Sequence, residues 1–181
     1  MLDEAALIDE CIRHRRKAQF TLYERYASTM LIVCLRYSKN REEAEDLMQE
    51  GFLKVFDKIA TFRGQGSLEG WIRRIMVNNA LNYLKSKKLL FVEEDPQRLG
   101  DQLPDDHPAD AAEELYTPEA MLRAVQELPD GYRIVFNLYV FEGYSHKEVA
   151  ESLGISENTS KSQLSRARRY LRNYLAIRVK G

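Results

Sequence analysis

The sequence predicts an all-helical chain of two small domains joined by a flexible acidic linker, with a helix-turn-helix in the second domain. Three observations carry this. On either side of residues 89–116, apolar residues recur at steps of three and four, the period of a helix that buries one face. No segment shows convincing strand alternation. Residues 89–116 lose the helical period, gain Pro96, Pro104 and Pro108, and crowd together acids from Glu93 and Glu94 to Glu113 and Glu114, the composition of a solvated linker. The expected divisions are therefore 1–88, 89–116 and 117–181.

In the first domain, Phe20, Tyr23, Ala27, Met30, Leu31 and Cys34 share one helical face and predict a core helix from Phe20. A second helix should start after Asn40, whose side chain can cap the free amides with Glu43 three residues on. It should carry Ala44, Met48, Phe52, Val55 and Ile59 inward and end near Ala60. Gly64, Gly66 and Gly70 then predict a loop, with helical periodicity returning at Trp71 and running to about Lys88. In the second domain, Thr117-Pro118-Glu119 opens a helix: Thr caps, Pro suits the first helical position and Glu favours the positive helix end. Leu128 to Gly131 punctuates, and Tyr132–Phe141 reads as another helix. Ser145 and Glu148 form a capping box for Lys147–Leu153. Gly154-Ile155-Ser156 turns into a last helix reaching about Arg178.

With 181 residues and 44% hydrophobic content, the chain can build packed cores. The sequence holds no apolar run of membrane-spanning length. Its N-terminus puts acids ahead of bases, opposite to a signal peptide, so the expected compartment is the cytoplasm, without membrane insertion. Cys11 and Cys34 lie far apart on helical segments and read as reduced, packed thiols. His14, His107 and His146 are scattered without ligand spacing, so no metal site and no cofactor are expected. A formal net charge of -1 does not announce a nucleic-acid binder. The C-terminus is nevertheless basic, through Lys161, Arg166, Arg168, Arg169, Arg172, Arg178 and Lys180.

Ser145–Tyr174 has helix-turn-helix layout: a short capped helix, Ala150 where helices approach closely, Gly154 at the turn and Ile155 as a buried hinge. Lys161, Ser165, Arg168 and Arg172 follow at steps of four, three and four. They form an outward stripe, with Leu164, Leu171, Tyr174 and Leu175 largely on the other side. Such a face can enter a major groove, early residues reaching base edges and arginines gripping phosphates. A solvated basic face is the alternative for an isolated stripe, and the preceding capped helix and glycine turn weigh against it.

Leu128-Pro129, Tyr132 to Phe136, Phe141 to Ser145, Glu148-Val149-Ala150, Leu153 to Ser156 and Lys161 to Arg168 resemble the promoter-reading domain of extracytoplasmic-function (ECF) sigma factors, in the sigma-70 family of bacterial RNA polymerase subunits. The resemblance implies minus-thirty-five contacts from Ser145, Lys147, Thr159, Lys161, Ser162, Gln163, Ser165, Arg166, Arg168 and Arg169. It further implies that the preceding apolar helices dock on the polymerase flap. Ser160 is a departure, because the family usually places a branched apolar residue there to pack the two helices.

Glu43 to Phe56 resembles the polymerase-binding helix of the same family. Asp46, Gln49, Glu50 and Leu53 project away from the Ala44, Met48, Phe52 and Val55 face, and the resemblance implies that they dock on the clamp coiled coil of the largest polymerase subunit. Gly51 departs from the family's bulkier residues and costs about 1 kcal/mol in helix propensity, which a close helix contact would offset. Phe62 to Ile75, with Asn78, Leu84 and Lys85, is similar to the melting and minus-ten segment. Phe62, Arg63, Trp71, Arg74, Asn78, Asn82 and Lys85 are the implied contacts. Trp71, Arg74, Asn78, Asn82 and Lys85 form a stripe opposite Ile72, Met76, Ala80 and Tyr83. They combine the stacking, cationic and amide groups that single-stranded DNA needs. Core packing remains the competing role for Trp71, and a plain surface charge for Arg73. Asn82 stands where the family usually has an acid, and Lys85 where it usually has arginine.

The expected function is that of a non-enzymatic sigma factor: it binds core polymerase, directs it to promoters and assists melting. Its expected partners are core RNA polymerase, promoter DNA and, by the resemblance, an anti-sigma protein that is commonly membrane-anchored. No small-molecule substrate is expected. The linker would span about 30 Å relaxed and about 100 Å extended, against roughly 70 Å between promoter elements, so polymerase would hold it open. A stand-alone helix-turn-helix regulator is the competing reading and would bind its own site without polymerase. An enzyme lacks support, for want of paired carboxylates, an activated nucleophile or a phosphate loop.

Overall fold

Among the described residues every regular element is a helix, because each apolar stripe has the period that a neighbouring helix covers. The computed structural model describes residues 3–86 and 117–179. Among these there is no strand. By contact the chain divides into two compact units, Met1–Tyr83 and Leu84–Gly181. The expected linker, 89–116, lies outside the described residues.

The N-terminal part contains α1 (Glu4–Ile12), α2 (Arg16–Tyr37), α3 (Arg41–Lys58), a 3-10 turn (Ile59–Thr61) and α4 (Leu68–Ser86). The sequence reading misses α1, a short helix whose Asp3 side chain accepts from the Glu4 amide. Leu7 and Cys11 of α1 are fully buried. Helix α2 begins four residues before Phe20, and its inner row is Ala18, Leu22, Tyr26, Met30, Val33, Cys34 and Tyr37. Phe20, expected in the core, is 60% exposed. The row that α1 and α3 cover is rotated from the one the sequence suggested: a run rich in apolar residues offers two overlapping stripes, and only the neighbours choose between them.

Helix α3 forms as expected. Asn40 accepts from the Glu43 amide at 2.8 Å, Glu43 returns a carboxylate to the Lys39 amide at 2.8 Å, and Ala44, Met48, Phe52, Val55 and Ile59 are buried. Tyr23 of α2 packs its ring 4.8 Å from that of Phe52, centroid to centroid. Helix α4 starts at Leu68, three residues before Trp71, because Ser67 Oγ accepts from the Gly70 amide at 3.1 Å and Leu68 is already in the core.

The C-terminal part contains α5 (Pro118–Gln126), α6 (Asp130–Phe136), a π-helical turn (Asn137–Phe141), α7 (His146–Leu153) and α8 (Glu157–Val179). Thr117 Oγ1 caps α5 by accepting from the Ala120 amide at 3.2 Å. The single helix expected over Tyr132–Phe141 begins at Asp130 and widens at Asn137 into the π turn, an irregularity that apolar periodicity does not encode. Buried Arg133 donates to Asp130 Oδ1 at 2.5 Å and to the Gln126 carbonyl at 3.0 Å, tying α6 back to the end of α5. Leu164, Ala167, Leu171 and Leu175 of α8 are buried, and α8 packs mainly on α6 and α7.

Candidate nucleic-acid interface

The helix-turn-helix of the C-terminal part is built by local chemistry. Ser145 Oγ accepts from the Glu148 amide at 3.2 Å, while Glu148 Oε2 accepts from the Ser145 amide and hydroxyl, each at 2.8 Å. These bonds, the amide first and the hydroxyl second, hold the Glu148 carboxyl below its ordinary range. Gly154 closes α7 in the left-handed conformation, φ 69°, which favours glycine. Ile155, expected as a buried hinge, is only partly buried.

Ser160 is fully buried, and its hydroxyl lies 2.9 Å from His146 Nδ1. The His146 ring stacks on Tyr139 with centroids 4.5 Å apart, and the Arg168 guanidinium lies 6.0 Å from the Tyr139 centroid. A polar contact thus joins α7 to α8 at the position where Ser160 departs from the family's usual apolar residue.

Lys161, Ser165, Arg168 and Arg172 are all exposed along one side of α8. Together with Met121, His146, Leu164, Leu171 and Leu175 they line an open groove of about 530 Å³ whose floor is apolar and whose rim is cationic. Ser145, Lys147, Ser162 and Arg169 are exposed as well. Thr159 is half-buried, its hydroxyl 2.9 Å from that of Ser156, and Arg166 is half-buried too. Gln163 sits apart from the stripe, half-buried against Gly131 of α6.

On α4, Arg74, Asn78, Asn82 and Lys85 are exposed along one side, while Ile72, Met76 and Ala80 are buried on the other. Trp71 is half-buried, its ring 5.6 Å from that of Phe62 in a tilted pair, so one aromatic cluster joins the loop to the stripe. Arg63 is exposed, and Gly64 and Gly66 adopt φ of 68° and 94°, leaving this loop a backbone path that favours glycine.

Asp46, Gln49, Glu50 and Leu53 are exposed on the outer face of α3, Leu53 to 70%. Lys54 Nζ donates to Glu50 Oε1 at 2.7 Å, and this bond holds the Glu50 carboxyl below its ordinary range against the opposing effect of burial. Gly51 is buried, and a Cβ added there would lie 2.2 Å from Met76 Sδ of α4. The glycine permits the close helix contact that offsets its poor helix propensity.

Asn79, absent from the sequence-derived site, joins these two helices. It is buried, donates from Nδ2 to the Leu47 carbonyl at 3.0 Å, and accepts from Lys54 Nζ at Oδ1. Helical phase alone places Asn79 beside Met76 and Ala80 on the inner side, and that was the available signal.

Residues 22–89 match Sigma-70 region 2, and residues 118–171 match Sigma-70, region 4. The RNA polymerase sigma factor SigZ of Bacillus subtilis is 31% identical over 134 residues, covering 72% of this chain and 72% of its own. The chain belongs to the sigma-70 family. The ECF RNA polymerase sigma-E factor of Haemophilus influenzae is 27% identical over 95% of both chains. The ECF RNA polymerase sigma factor SigE of Mycolicibacterium smegmatis is 31% identical over 86% of this chain, which spans only 60% of that relative's length. Among solved structures, the sigma factor RpoE of Bartonella quintana, in complex with the anti-sigma factor NepR, is similar over 87% of this chain and 96% of its own. Its TM-score is 0.52 at 22% identity, a likeness of fold.

Among the described residues, no three His, Cys, Asp or Glu side chains are grouped to hold a metal ion, and no helix is long and apolar enough to cross a membrane.

Proposed function

We propose that this sigma factor works entirely through binding energy, by three surfaces assigned to named residues. Asp46, Gln49, Glu50 and Leu53 of α3 engage core RNA polymerase. Phe62, Arg63, Trp71, Arg74, Asn78, Asn82 and Lys85 capture the melted minus-ten strand. The exposed members of the α7–α8 set, led by Lys161, Ser165, Arg168 and Arg172, hold the minus-thirty-five duplex. The observation that carries the assignment is the sidedness of α4: its exposed stripe of cations and amides stands opposite the buried Ile72, Met76 and Ala80. Aromatic and guanidinium groups stack and neutralise, amides read base edges, and bases bound this way shift the duplex toward its open form without a cofactor or bond chemistry.

Residues 1–88 and 117–181 act as the two functional domains, with 89–116 as their tether. The family likeness of a sigma factor held by an anti-sigma factor supports an anti-sigma partner for this chain as well. The protein works in the cytoplasm, where polymerase and promoters are. The deciding experiment mixes the purified chain with core polymerase and transcribes a promoter pool. New start sites that disappear with Asn78→Ala but leave core binding intact are the expected result. Tight binding of a palindromic duplex without polymerase, and no new start sites, would replace this reading with a stand-alone regulator.

A further inference from the structure

We infer that Asn79 is a positioning residue, fixing the rotation of the strand-reading helix α4 on the polymerase-binding helix α3 through Lys54 and Glu50. This rests on the assignments of α3 and α4 made above.

The contacts between the two helices run in order along them. Met76 lies over Gly51, Asn79 bonds Leu47, and the Tyr83 hydroxyl donates to Glu43 Oε1 at 2.6 Å. Residue numbers rise along α4 as they fall along α3, so the pair is antiparallel. The Met76 contact sets how close the helices come but says little about rotation, because a flexible thioether packs well in several positions. The amide contact is directional. Asn79 Nδ2 donates to a backbone carbonyl at 3.0 Å, and Oδ1 takes a proton from Lys54, in a side chain only 3% exposed. Turning α4 by one residue, about 100°, would carry the Asn79 amide away from the Leu47 carbonyl and Lys54 and break both bonds.

The same rotation would carry Asn78 and Asn82 off the exposed face, since Asn78 is the immediate neighbour of Asn79. Lys54 has its other bond to Glu50, which belongs to the polymerase-facing set. An unbroken chain, Glu50–Lys54–Asn79, therefore runs from one functional face to the helix that carries the other. A buried apolar residue at 79 would give equal packing and no such register.

The test compares holoenzymes assembled with the wild-type chain, Asn79→Ala, Lys54→Met and the double variant. For each, core-polymerase affinity, holoenzyme affinity for a single-stranded minus-ten oligonucleotide, and thermal unfolding of the free chain are measured. Core affinity should stay within about twofold, while strand affinity falls about fivefold to tenfold for either single variant. The double variant should be no worse than the weaker single one, because both remove one unit. Lys54 is partly exposed, so Lys54→Met carries the test if Asn79→Ala does not fold. Unchanged strand affinity in the folded variants overturns the role of Asn79. So does a parallel loss of core affinity, strand affinity and thermal midpoint, which marks a purely structural contact. If the wild-type holoenzyme itself fails to bind the strand, the assignment of α4 is wrong and this inference falls with it.

Discussion

Replacing Gly51 with alanine sets two known effects against each other at one position. Helix propensity favours alanine by about 1 kcal/mol in a helix interior. The new methyl, however, would lie 2.2 Å from Met76 Sδ and 3.1 Å from its Cε. Ordinary contact needs about 3.5–4.0 Å, so the thioether must move by more than about 1 Å. Met76 is fully buried, so its thioether, though flexible, can yield only against the core around it, and overpacking of this kind costs about 1–3 kcal/mol. Gly51→Ala should therefore destabilise by about 1 kcal/mol net, against its propensity. With Met76→Ala already in place the clash is gone, and the same substitution should stabilise by about 0.5–1 kcal/mol. Urea unfolding followed by tryptophan fluorescence is suited to the measurement. Trp71 is the chain's single tryptophan and lies in the N-terminal unit, so the signal reports that unit. Midpoints should shift at constant slope. A stabilising Gly51→Ala in the wild-type background, or the same effect in both backgrounds, would refute the reasoning.

Three other outcomes are expected. Arg168→Ala should weaken holoenzyme binding to minus-thirty-five duplexes of any sequence, and reduce the slope of log affinity against log salt by about 0.9 if one phosphate contact is lost; an unchanged slope would remove Arg168 from the phosphate-binding set. The depressed Glu148 pKa means its contribution to stability is fully present above the unfolded carboxyl range and is lost as pH falls through the folded value. Glu148→Gln should therefore flatten the acid limb of thermal stability below about pH 5, as read by circular dichroism across pH. Burial pushes the Cys34 thiol up to about 12, so at pH 8 the native chain should be alkylated at Cys34 only on unfolding, as followed by mass spectrometry with and without urea.

Capping and periodicity are local, and so the sequence by itself determined most of the helices. Asn40 with Glu43, Thr117 with Pro118, and Ser145 with Glu148 each satisfy amides within one turn, independently of what the helix later packs against. It also determined the two outward stripes, because Arg74, Asn78 and Asn82 on α4 and Lys161, Ser165, Arg168 and Arg172 on α8 follow from the helical period alone. Where an apolar stripe was ambiguous, only the tertiary structure decided. Phe20 lost its expected core place because α1 and α3 cover a different row of α2, and α1 itself was too short and weakly patterned to be noticed. The tuck of Gln163 against Gly131 and the His146–Ser160 contact depend on two helices meeting, and the π turn at Asn137 is a backbone irregularity that apolar periodicity does not encode. Gly51 shows the division plainly. Its poor propensity was visible in the sequence, but the reason for it is the Met76 side chain, which only the packing of α4 on α3 brings there.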